Sequence, residues 1–376
     1  MRVLLVHPRF DVYGGAELVV VKLCNYLHER QIGAAILTTS IGPDVQKELK
    51  GTEVIICKSL PGGETVGGML SLNGGIRKYM DEFSVINVHN FPANIALLGV
   101  SKPVVWMCNE PELYLRLQNP GVSIFKKLLY LLLLPLEKRL LKRYVRQIVV
   151  ADNFNYERFM ALYKTAATIC HYGIDHDFFS RGDREKAKRK YNLDSYFTVL
   201  HVGWFTVLKN QMGSLRAVDE LKSVIPNIKL VLAGYGEGAY LKAVQEYIAE
   251  RRLENVVVVT GHLTRSEVRD LYHAADVLLH PIRSQGGWLA PFEALCAGLP
   301  VIVSAEMTAA ELIRQNRLGL VTHDFRGAVE EVWRKHLDYK KDAPRNADWV
   351  SRNLSWARFG DGMVTAYNRA MGSASA

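Results

Sequence analysis

The sequence predicts an α/β protein made of two doubly wound domains, each built on a parallel β-sheet. Short apolar, β-rich segments alternate with helical patterns along the chain, which indicates parallel sheets covered by helices on both faces. The alternation begins again after a charged segment, SRGDREKAKRKYNLD at 180–194. The length of 376 residues is also typical of two domains.

The first half starts with a strand at 3–7 and a helix from Gly14, in which apolar residues recur at helical spacing. Its further strands are predicted at AAILTT (34–39), EVIIC (53–57), SVINV (84–88), PVVWM (103–107) and QIVVA (147–151). The glycine-rich segment GGETVGGMLSLNGG at 62–75 is expected to form a mobile loop.

The second half repeats the pattern. Its strands are predicted at FTVLHVG (197–203), IKLVLAG (228–234), VVVVT (256–260), DVLLH (276–280) and PVIVS (300–304). Thr264 and Glu267 are spaced as a capping box at a helix start. Because ligands of such sheets bind beyond the carboxyl ends of the strands, we expect the loops there to line a cleft between two facing domains.

Composition and charge narrow the classes of function. The net charge of +9 predicts an acidic partner such as a nucleotide, a phosphate group or an anionic membrane. The five cysteines have neither CxxC nor zinc-site spacing, which favours a reduced, cytoplasmic protein. The start of the chain does not have the pattern of a signal peptide, and the longest apolar run, 128–136, is too short to span a bilayer. Aromatic residues are not interleaved with basic ones as on nucleic-acid surfaces, so no nucleic-acid partner is expected.

The segment SQGGWLAPFEALCAGLPVI at 284–302 combines a small-residue loop with the start of a helix. A helix N-terminus presents unpaired N–H groups and partial positive charge, which attract phosphate. Gly286 and Gly287 would let a ligand approach the backbone closely. The alternative is an ordinary loop between a strand and a helix.

The same segment contains one carboxylate. Pro291 suits the first turn of the helix and Gly298 its end. Glu293, expected in that first turn, has two oxygens that can accept hydrogen bonds from a ribose diol.

Three other loops have shapes suited to anions. HVGWFTVLKNQ at 201–211 places Lys209 after a strand, where it can reach a diphosphate, although a single lysine is commonly only a surface residue. LAGYGEG at 232–238 is a tight turn after a strand, but its glycine spacing is wrong for nicotinamide dinucleotides. VYGGAEL at 12–18 puts the amides of Gly14 and Gly15 at a helix start, or is simply a turn.

Taken in order, these segments resemble the GT-B glycosyltransferases of family 4. The resemblance rests on GGAE (14–17), HYGIDHDFF (171–179), VGWFTVLKN (202–210), LAGYGEG, the 284–302 segment and LSWARF (354–359). It implies two Rossmann-like domains, with an acceptor-binding domain at 1–175 and a nucleotide-sugar-binding domain at 176–354. It also implies that a C-terminal helix at about 355–372 packs back on the first domain.

The resemblance also implies residue roles. The first of two family glutamates falls on Gln285, which would hold the donor sugar, and the second falls on Glu293, which would hold the ribose. The family's phosphate-binding arginine falls on Trp204, so Lys209 and the helix N-terminus remain for the phosphates, with Arg283 nearby to compensate.

The first-domain histidine of the family aligns with Asn109 in WMCNEP (106–111), with Glu110 or His89 as alternatives for the same role. The catalytic residues are therefore expected to be Lys209, Gln285, Glu293 and Asn109. The donor-binding residues are expected to be Gly14, Gly15, Trp204, Gly236, Glu237, Arg283, Gly286, Gly287, Trp288 and Leu289.

The function implied is transfer of a hexose from a UDP or GDP sugar to a saccharide or lipid-linked acceptor, with retention of anomeric configuration. No cofactor and no metal are expected, since the nucleotide sugar is a substrate. The DHD triplet at 175–177 is not expected to bind a metal, because no second carboxylate cluster accompanies it. The alternatives are a catalytically weakened homologue that serves as a partner subunit, and a GT-B epimerase.

The segment KKLLYLLLLPLEKRLLKRYVR at 126–146 contains seven basic residues and one acid, together with a wide apolar run. Basic residues are attracted to anionic lipid, so this helix is expected to contact the inner face of a membrane. The alternative is a core helix with a solvated basic face.

Overall fold

The computed structural model describes residues 1–11, 13–118, 121–283 and 286–372. The chain forms two compact units. The first consists of Met1–Gly173 with Trp356–Ala376, and the second consists of Ile174–Ser355. The expected boundary at 175–176 lies two residues from the observed one.

Within its described residues, the first unit contains a seven-stranded parallel sheet in the order β3-β2-β1-β4-β5-β6-β7. Its strands are β1 (Arg2–Val6), β2 (Gly33–Thr38), β3 (Glu53–Ile56), β4 (Val85–His89), β5 (Val104–Cys108), β6 (Val145–Val150) and β7 (Thr168–Ile169). Its helices are α1 (Gly15–Glu29), α2 (Pro43–Glu48), α3 (Gly68–Tyr79), α4 (Glu112–Gln118), α5 (Ile124–Tyr144) and α6 (Asn153–Tyr163). The central strands are buried on both faces, as expected for a sheet covered on both sides.

The prediction of a mobile loop at 62–75 is wrong. The segment forms a π-helical turn, Gly63–Gly67, that continues directly into α3. Leu72 and Ile76 of this helix are fully buried against the sheet. A Cβ atom on Gly67 would lie 2.4 Å from the carbonyl oxygen of Leu60, so this glycine is needed for close packing rather than for mobility.

Within its described residues, the second unit contains a six-stranded parallel sheet in the order β10-β9-β8-β11-β12-β13. Its strands are β8 (Phe197–Val202), β9 (Ile228–Ala233), β10 (Val257–Gly261), β11 (Val277–His280), β12 (Val301–Val303) and β13 (Leu320–Val321). Its helices are α7 (His176–Phe179), α8 (Arg184–Tyr191), α9 (Gln211–Leu221), α10 (Gly238–Glu250), α11 (Arg265–Ala274), α12 (Leu289–Cys296), α13 (Ala310–Gln315), α14 (Phe325–Arg334) and α15 (His336–Asn353). The capping box predicted for α11 is confirmed, because Glu267 Oε2 accepts from the Thr264 amide at 2.9 Å and Thr264 Oγ1 accepts from the Glu267 amide at 3.3 Å.

The last helix, α16 (Trp356–Ala370), belongs to the first unit. The Tyr367 hydroxyl donates to Asn87 Oδ1 of β4 at 2.7 Å, and Phe359 and Met363 are buried. A Cβ atom on Gly360 would overlap the ring of Tyr26 in α1, so α16 lies in direct contact with α1.

Both sheets reverse their strand order once, between β1 and β4 in the first unit and between β8 and β11 in the second. Ligands of doubly wound sheets bind at the carboxyl ends of the strands on either side of such a reversal. Ligand sites are therefore expected at the loops after β1 and β4 in the first unit, and at those after β8 and β11 in the second. Within the described part of the chain, no helix is both long and apolar enough to cross a membrane.

Candidate functional site

In the second unit, the loops after β8 and β11 are joined by hydrogen bonds. The Arg283 amide donates to the Leu208 carbonyl at 2.8 Å, and Asn210 Nδ2 donates to the Pro281 carbonyl at 2.9 Å. Asn210 is buried, so this bond is shielded from water. The two loops thus form one structure at the reversal point of the sheet.

Lys209 belongs to this structure. Its half-buried ammonium group donates to the carbonyl of Gly286 at 3.0 Å. Gly286 comes shortly before α12, which begins at Leu289 after an N-cap at Trp288. The first N–H groups of a helix have no partner within it. The cation is therefore fixed in the loop that leads to the partly positive start of α12.

A buried histidine supports the same loop. His280, the last residue of β11, lies with its Nε2 3.0 Å from the Gly287 carbonyl. Gly287 has a φ of 143°, and a Cβ atom there would lie 2.5 Å from the imidazole. Burial lowers the pKa of His280 well below its usual value, so the ring is neutral and donates through Nε2–H. This contact could not be predicted from the sequence, in which His280 is only a polar residue at a strand end.

Glu293 lies in the second turn of α12, not in the first as expected. The helix begins at Leu289, two residues before Pro291, because the first four N–H groups of a helix need no intrahelical acceptor and a proline fits at any of those positions. Gly298 follows the last turn with a φ of 75°, as predicted for a helix end.

The carboxyl group of Glu293 accepts a hydrogen bond from the hydroxyl of Tyr272 at 3.0 Å. Burial raises its pKa to about 7, and the negative charge of Asp175 adds to the rise, while Arg265 and the Tyr272 bond oppose it. Asp175 itself forms an ion pair with Arg265 at 2.6 Å. The first aspartate of the DHD triplet thus has a guanidinium as its partner, and Asp177 is exposed.

The remaining donor-site residues differ in accessibility. The Trp204 side chain is 44% exposed and meets the ring of Tyr235 edge-on at 5.8 Å. Gly236 and Glu237 form the turn between β9 and α10, with Glu237 exposed at the N-cap. Arg283 is also exposed.

Two of the expected donor-binding residues present fewer groups to a donor. Trp288 is buried with its ring against Phe292 at 4.7 Å between centroids, so its side chain packs in the core and only its backbone faces the loop. Leu289 begins α12 and offers its amide. Gln285 lies outside the described residues.

In the first unit, Asn109 is the third member of a chain of polar side chains. Asn90 Nδ2 lies 3.2 Å from His7 Nε2, Asn109 Nδ2 donates to Asn90 Oδ1 at 2.7 Å, and the Tyr172 hydroxyl donates to Asn109 Oδ1 at 2.6 Å. His7 is buried and its pKa is lowered to about 4 by that burial, so its ring is neutral. These bonds fix the amide of Asn109 at the carboxyl end of β5.

His89 cannot serve as the alternative to Asn109. Its side chain is fully buried within β4, and its Nε2 bonds to Asn87 Oδ1 at 2.9 Å. The His89 ring has no exposed surface, so it is not accessible to a ligand beyond the strand ends.

The amides expected at Gly14 and Gly15 lie at the start of α1, where Gly14 is the N-cap. The Gly14 amide donates to Glu17 Oε2 at 3.1 Å. Because this carboxylate already occupies the positive end of α1, an anion binding there would have to displace it.

A cavity of about 500 Å³ lies at the reversal point of the first sheet. Hydroxyl, amide, acidic and basic side chains of the loops after β1, β2 and β4 line much of it. Its charged residues are Arg9, Asp11, Glu17, Glu64, Glu112 and Arg116. Arg9 pairs with Glu64 and Arg116 pairs with Glu112, each at 2.5 Å. Glu17 belongs to the GGAE motif, but no role in a cavity was predicted for it or for the other five residues, which are scattered single charges in the sequence.

Among the residues that the structure describes, no three His, Cys, Asp or Glu side chains are arranged to hold a metal ion.

Comparisons with known proteins agree with this architecture. A model described as Glycosyltransferase Family 4 matches residues 13–178, and one described as Glycosyl transferases group 1 matches residues 183–354. The two matches follow one another along the chain and correspond to its two units.

Curated relatives are similar over part of their length. A D-inositol 3-phosphate glycosyltransferase of Mycobacteroides abscessus is 27% identical over 213 residues, 54% of this chain and 46% of that protein. An alpha-monoglucosyldiacylglycerol synthase of Streptococcus pneumoniae is 29% identical over 142 residues, 37% of this chain and 32% of that protein. The chain thus spans about half or less of the length of these relatives.

Solved structures share the fold over nearly the whole chain. HepE of Anabaena, solved in complex with UDP-glucose, has a TM-score of 0.80 at 17% identity and covers 97% of this chain and 98% of its own. WaaG, a glycosyltransferase involved in lipopolysaccharide biosynthesis, has a TM-score of 0.77 at 19% identity and covers 96% of this chain and 99% of its own. The two matched models, together with a fold of two parallel-sheet α/β domains, place the chain among the GT-B glycosyltransferases.

Proposed function

We propose that the chain transfers a hexose from a nucleotide diphosphate sugar, with UDP or GDP as the nucleotide, to a saccharide or lipid-linked acceptor. The transfer retains the anomeric configuration and needs no metal. The observation that carries this proposal is the joined pair of loops in the second unit. They hold the Lys209 ammonium beside Gly286, shortly before the N-terminus of α12.

The donor phosphates bind to Lys209 and to the first amides of α12. The ammonium donates to the Gly286 carbonyl, and on donor binding this bond is exchanged for one to a phosphate oxygen. Negative charge grows on the diphosphate as the sugar–oxygen bond breaks, and fixed donors aimed at that charge lower the barrier. His280 holds the loop in place from below through Gly287.

Bond changes in the reaction balance without another reactant. The bond between the anomeric carbon and the phosphate oxygen breaks, and the acceptor oxygen forms a bond to that carbon on the same face. The acceptor proton moves to the leaving phosphate oxygen. Glu293 accepts hydrogen bonds from the ribose hydroxyls, while Gln285 and Asn109 hold the donor sugar.

The cavity of the first unit is the site we assign to the acceptor. Its hydroxyl, amide and carboxylate groups can exchange hydrogen bonds with a polyhydroxylated molecule. One argument supports UDP as the nucleotide to test first. HepE, which shares the fold, was solved with UDP and with UDP-glucose.

A second candidate is a homologue that binds a nucleotide sugar but turns it over weakly, acting as a partner subunit. Trp204 favours it, because the family places a phosphate-binding arginine at this position.

The test is a product assay with UDP and GDP sugars against saccharide and lipid-diphosphate acceptors, with and without EDTA. Lys209→Ala is expected to lower turnover by about 100–1000-fold, because it removes one donor to the developing charge. The matched control is Lys341→Ala, a lysine whose side chain is 78% exposed on α15 and pairs with Asp338.

Three results would decide otherwise. Near-normal turnover by the Lys209 variant would remove this residue from the site. Saturable binding of a donor by the wild type, without product from any acceptor, would favour the second candidate. Loss of activity in EDTA would overturn the metal-independent reaction.

A further inference from the structure

Helix α5 of the first unit carries a strip of exposed apolar side chains. Phe125 is 81% exposed, Leu132 is 74% exposed and Ile124 is 65% exposed. Leu128, Leu131 and Leu136 are exposed as well. Soluble proteins rarely present contiguous apolar patches of this kind unless the patch binds something.

The opposite face of α5 is fixed to the unit. Tyr130, Leu133 and Leu140 are buried in a cluster with Phe91, Ile95 and Leu113. Glu137 is buried on the same side, where Asn94 Nδ2 donates to it at 2.6 Å and the Tyr163 hydroxyl donates at 2.7 Å. The orientation of the helix is therefore set by its packing, and the exposed strip does not belong to the core of this unit.

The strip continues into basic residues along the same side of the helix. At about 100° per residue, Ile124, Leu128, Leu131 and Leu132 project to the same side as the exposed residues Lys138, Arg139, Lys142 and Arg143. The apolar part, 124–136, is about 18 Å long at about 1.5 Å per residue. We call this side, from Ile124 to Arg143, the α5 face.

We propose that the α5 face docks this protein on the surface of an anionic lipid bilayer. Its apolar part enters the boundary between headgroups and acyl chains, and its basic part lies on the anionic headgroups. The inference does not depend on the proposed function, because the exposed residues of α5 neither line the cavity of the first unit nor belong to the expected donor site.

The charges on α5 select this occupant over a second protein surface. Every exposed charged side chain on the helix is basic, since its one acidic residue, Glu137, is turned into the core. An apolar strip joined to positive charge is complementary to anionic lipid, which presents acyl chains below negative headgroups. The helix lies on the membrane and does not cross it, because Lys126 and Lys127 lie in its first turn and basic residues fill its last turns.

The experiment is co-sedimentation of the full chain with vesicles of phosphatidylcholine alone and of phosphatidylcholine mixed with phosphatidylglycerol. We expect binding to the mixed vesicles at low salt and a large decrease at high salt, because screening weakens the contribution of the basic residues. Phosphatidylcholine vesicles are expected to bind much more weakly.

One pair of variants tests the apolar part. Phe125→Ser with Leu132→Ser is expected to weaken binding by at least about tenfold, since both side chains lose apolar area that enters the bilayer. The matched control is Leu98→Ser with Leu337→Ser, because these leucines lie outside α5 and are 65% and 73% exposed. This control is expected to bind as the wild type does.

A second pair tests the basic part. Replacing Lys138, Arg139 and Lys142 by glutamine is expected to weaken binding to anionic vesicles by about 100-fold, at about fivefold for each charge. The control replaces three exposed basic residues of the second unit by glutamine: Arg189, Lys242 and Lys341. Its net charge is therefore the same as that of the test variant. Thermal unfolding monitored by circular dichroism shows whether each variant is folded.

Three outcomes would overturn the proposal. The first is that the wild type does not bind anionic vesicles at low salt, and the second is that test and control variants lose binding equally. The third is that the wild type binds no vesicles but self-associates, and that the Phe125 and Leu132 substitutions convert it to a monomer. The last outcome would assign the α5 face to contacts between copies of the chain.

Discussion

The pKa of Glu293 makes donor binding depend on pH in a defined direction. Burial raises this pKa from 4.5 to about 7 in the free protein. Ribose hydroxyls donate hydrogen bonds to the ionised carboxylate, so the donor binds preferentially to the ionised form. We therefore expect donor affinity to be highest above pH 7 and to fall as the pH is lowered through 7.

The magnitude follows from the size of the shift. Below a pKa of about 7, the ionised fraction falls about tenfold for each pH unit. If only the ionised form binds, affinity at pH 5 is about 100-fold below its plateau, which corresponds to about 2.7 kcal/mol. If the pKa of Glu293 were the ordinary value of 4.5, donor affinity would fall by only a small fraction over the same pH interval.

The assay is isothermal titration calorimetry with UDP-glucose, or with the best donor from the product assay, between pH 5 and pH 8.5. A nucleotide sugar is preferable to free UDP, because its esterified diphosphate has no group that titrates in this interval. Glu293→Gln is the control variant, since the amide keeps the size of the side chain and cannot ionise.

Glu293→Gln is expected to bind more weakly than the wild type at pH 8 and with little dependence on pH. The free energy of unfolding, measured without donor, is expected to depend on pH in the opposite direction to donor affinity. The raised pKa stabilises the wild-type fold below pH 4.5, and this contribution is lost as the pH rises through 7. Equal pH slopes of donor affinity in the wild type and the glutamine variant would refute the assignment of Glu293 to the ribose.

Two further predictions concern other positions. Trp204→Arg adds a guanidinium beyond the carboxyl end of β8. It is expected to tighten donor binding by about tenfold, because charge-assisted hydrogen bonds to phosphate contribute about 1.5–3 kcal/mol. Unchanged affinity in calorimetry would show that position 204 does not face the phosphates. Glu137, buried with a pKa of about 7, contributes stability below pH 4.5 that is lost as the pH rises through 7. Glu137→Gln is therefore expected to gain up to about 3 kcal/mol relative to the wild type between pH 5 and pH 8 in urea unfolding, and a difference that is the same at both pH values would contradict this account.

The order of strands and helices is a local property, and the sequence was sufficient to predict it. Parallel sheets covered on both faces require apolar strands separated by helices, and the segments before 175 and after 195 show this alternation twice. The capping box at Thr264 and Glu267 was also readable, because its two hydrogen bonds join residues three positions apart. The loop between β11 and α12 was located for the same reason, since glycine and proline mark a helix start through their own backbone preferences.

Glycine content misled where packing is the deciding factor. The segment 62–75 has the composition of a loop, yet it is helical because Leu72 and Ile76 are buried and Gly67 touches the Leu60 backbone. A glycine that gives mobility and a glycine that gives close contact look the same in a sequence.

Every property of the candidate sites that depends on distant neighbours required the tertiary structure. The pKa of Glu293 is set by burial, by Tyr272 and by the Arg265–Asp175 pair, and that of His280 by the core around it. The sequence pointed to the basic and apolar character of α5, but only packing decided which of its sides is covered. Local hydrogen bonding and side-chain periodicity are encoded residue by residue, whereas burial and electrostatic environment are created when segments far apart in the chain come together.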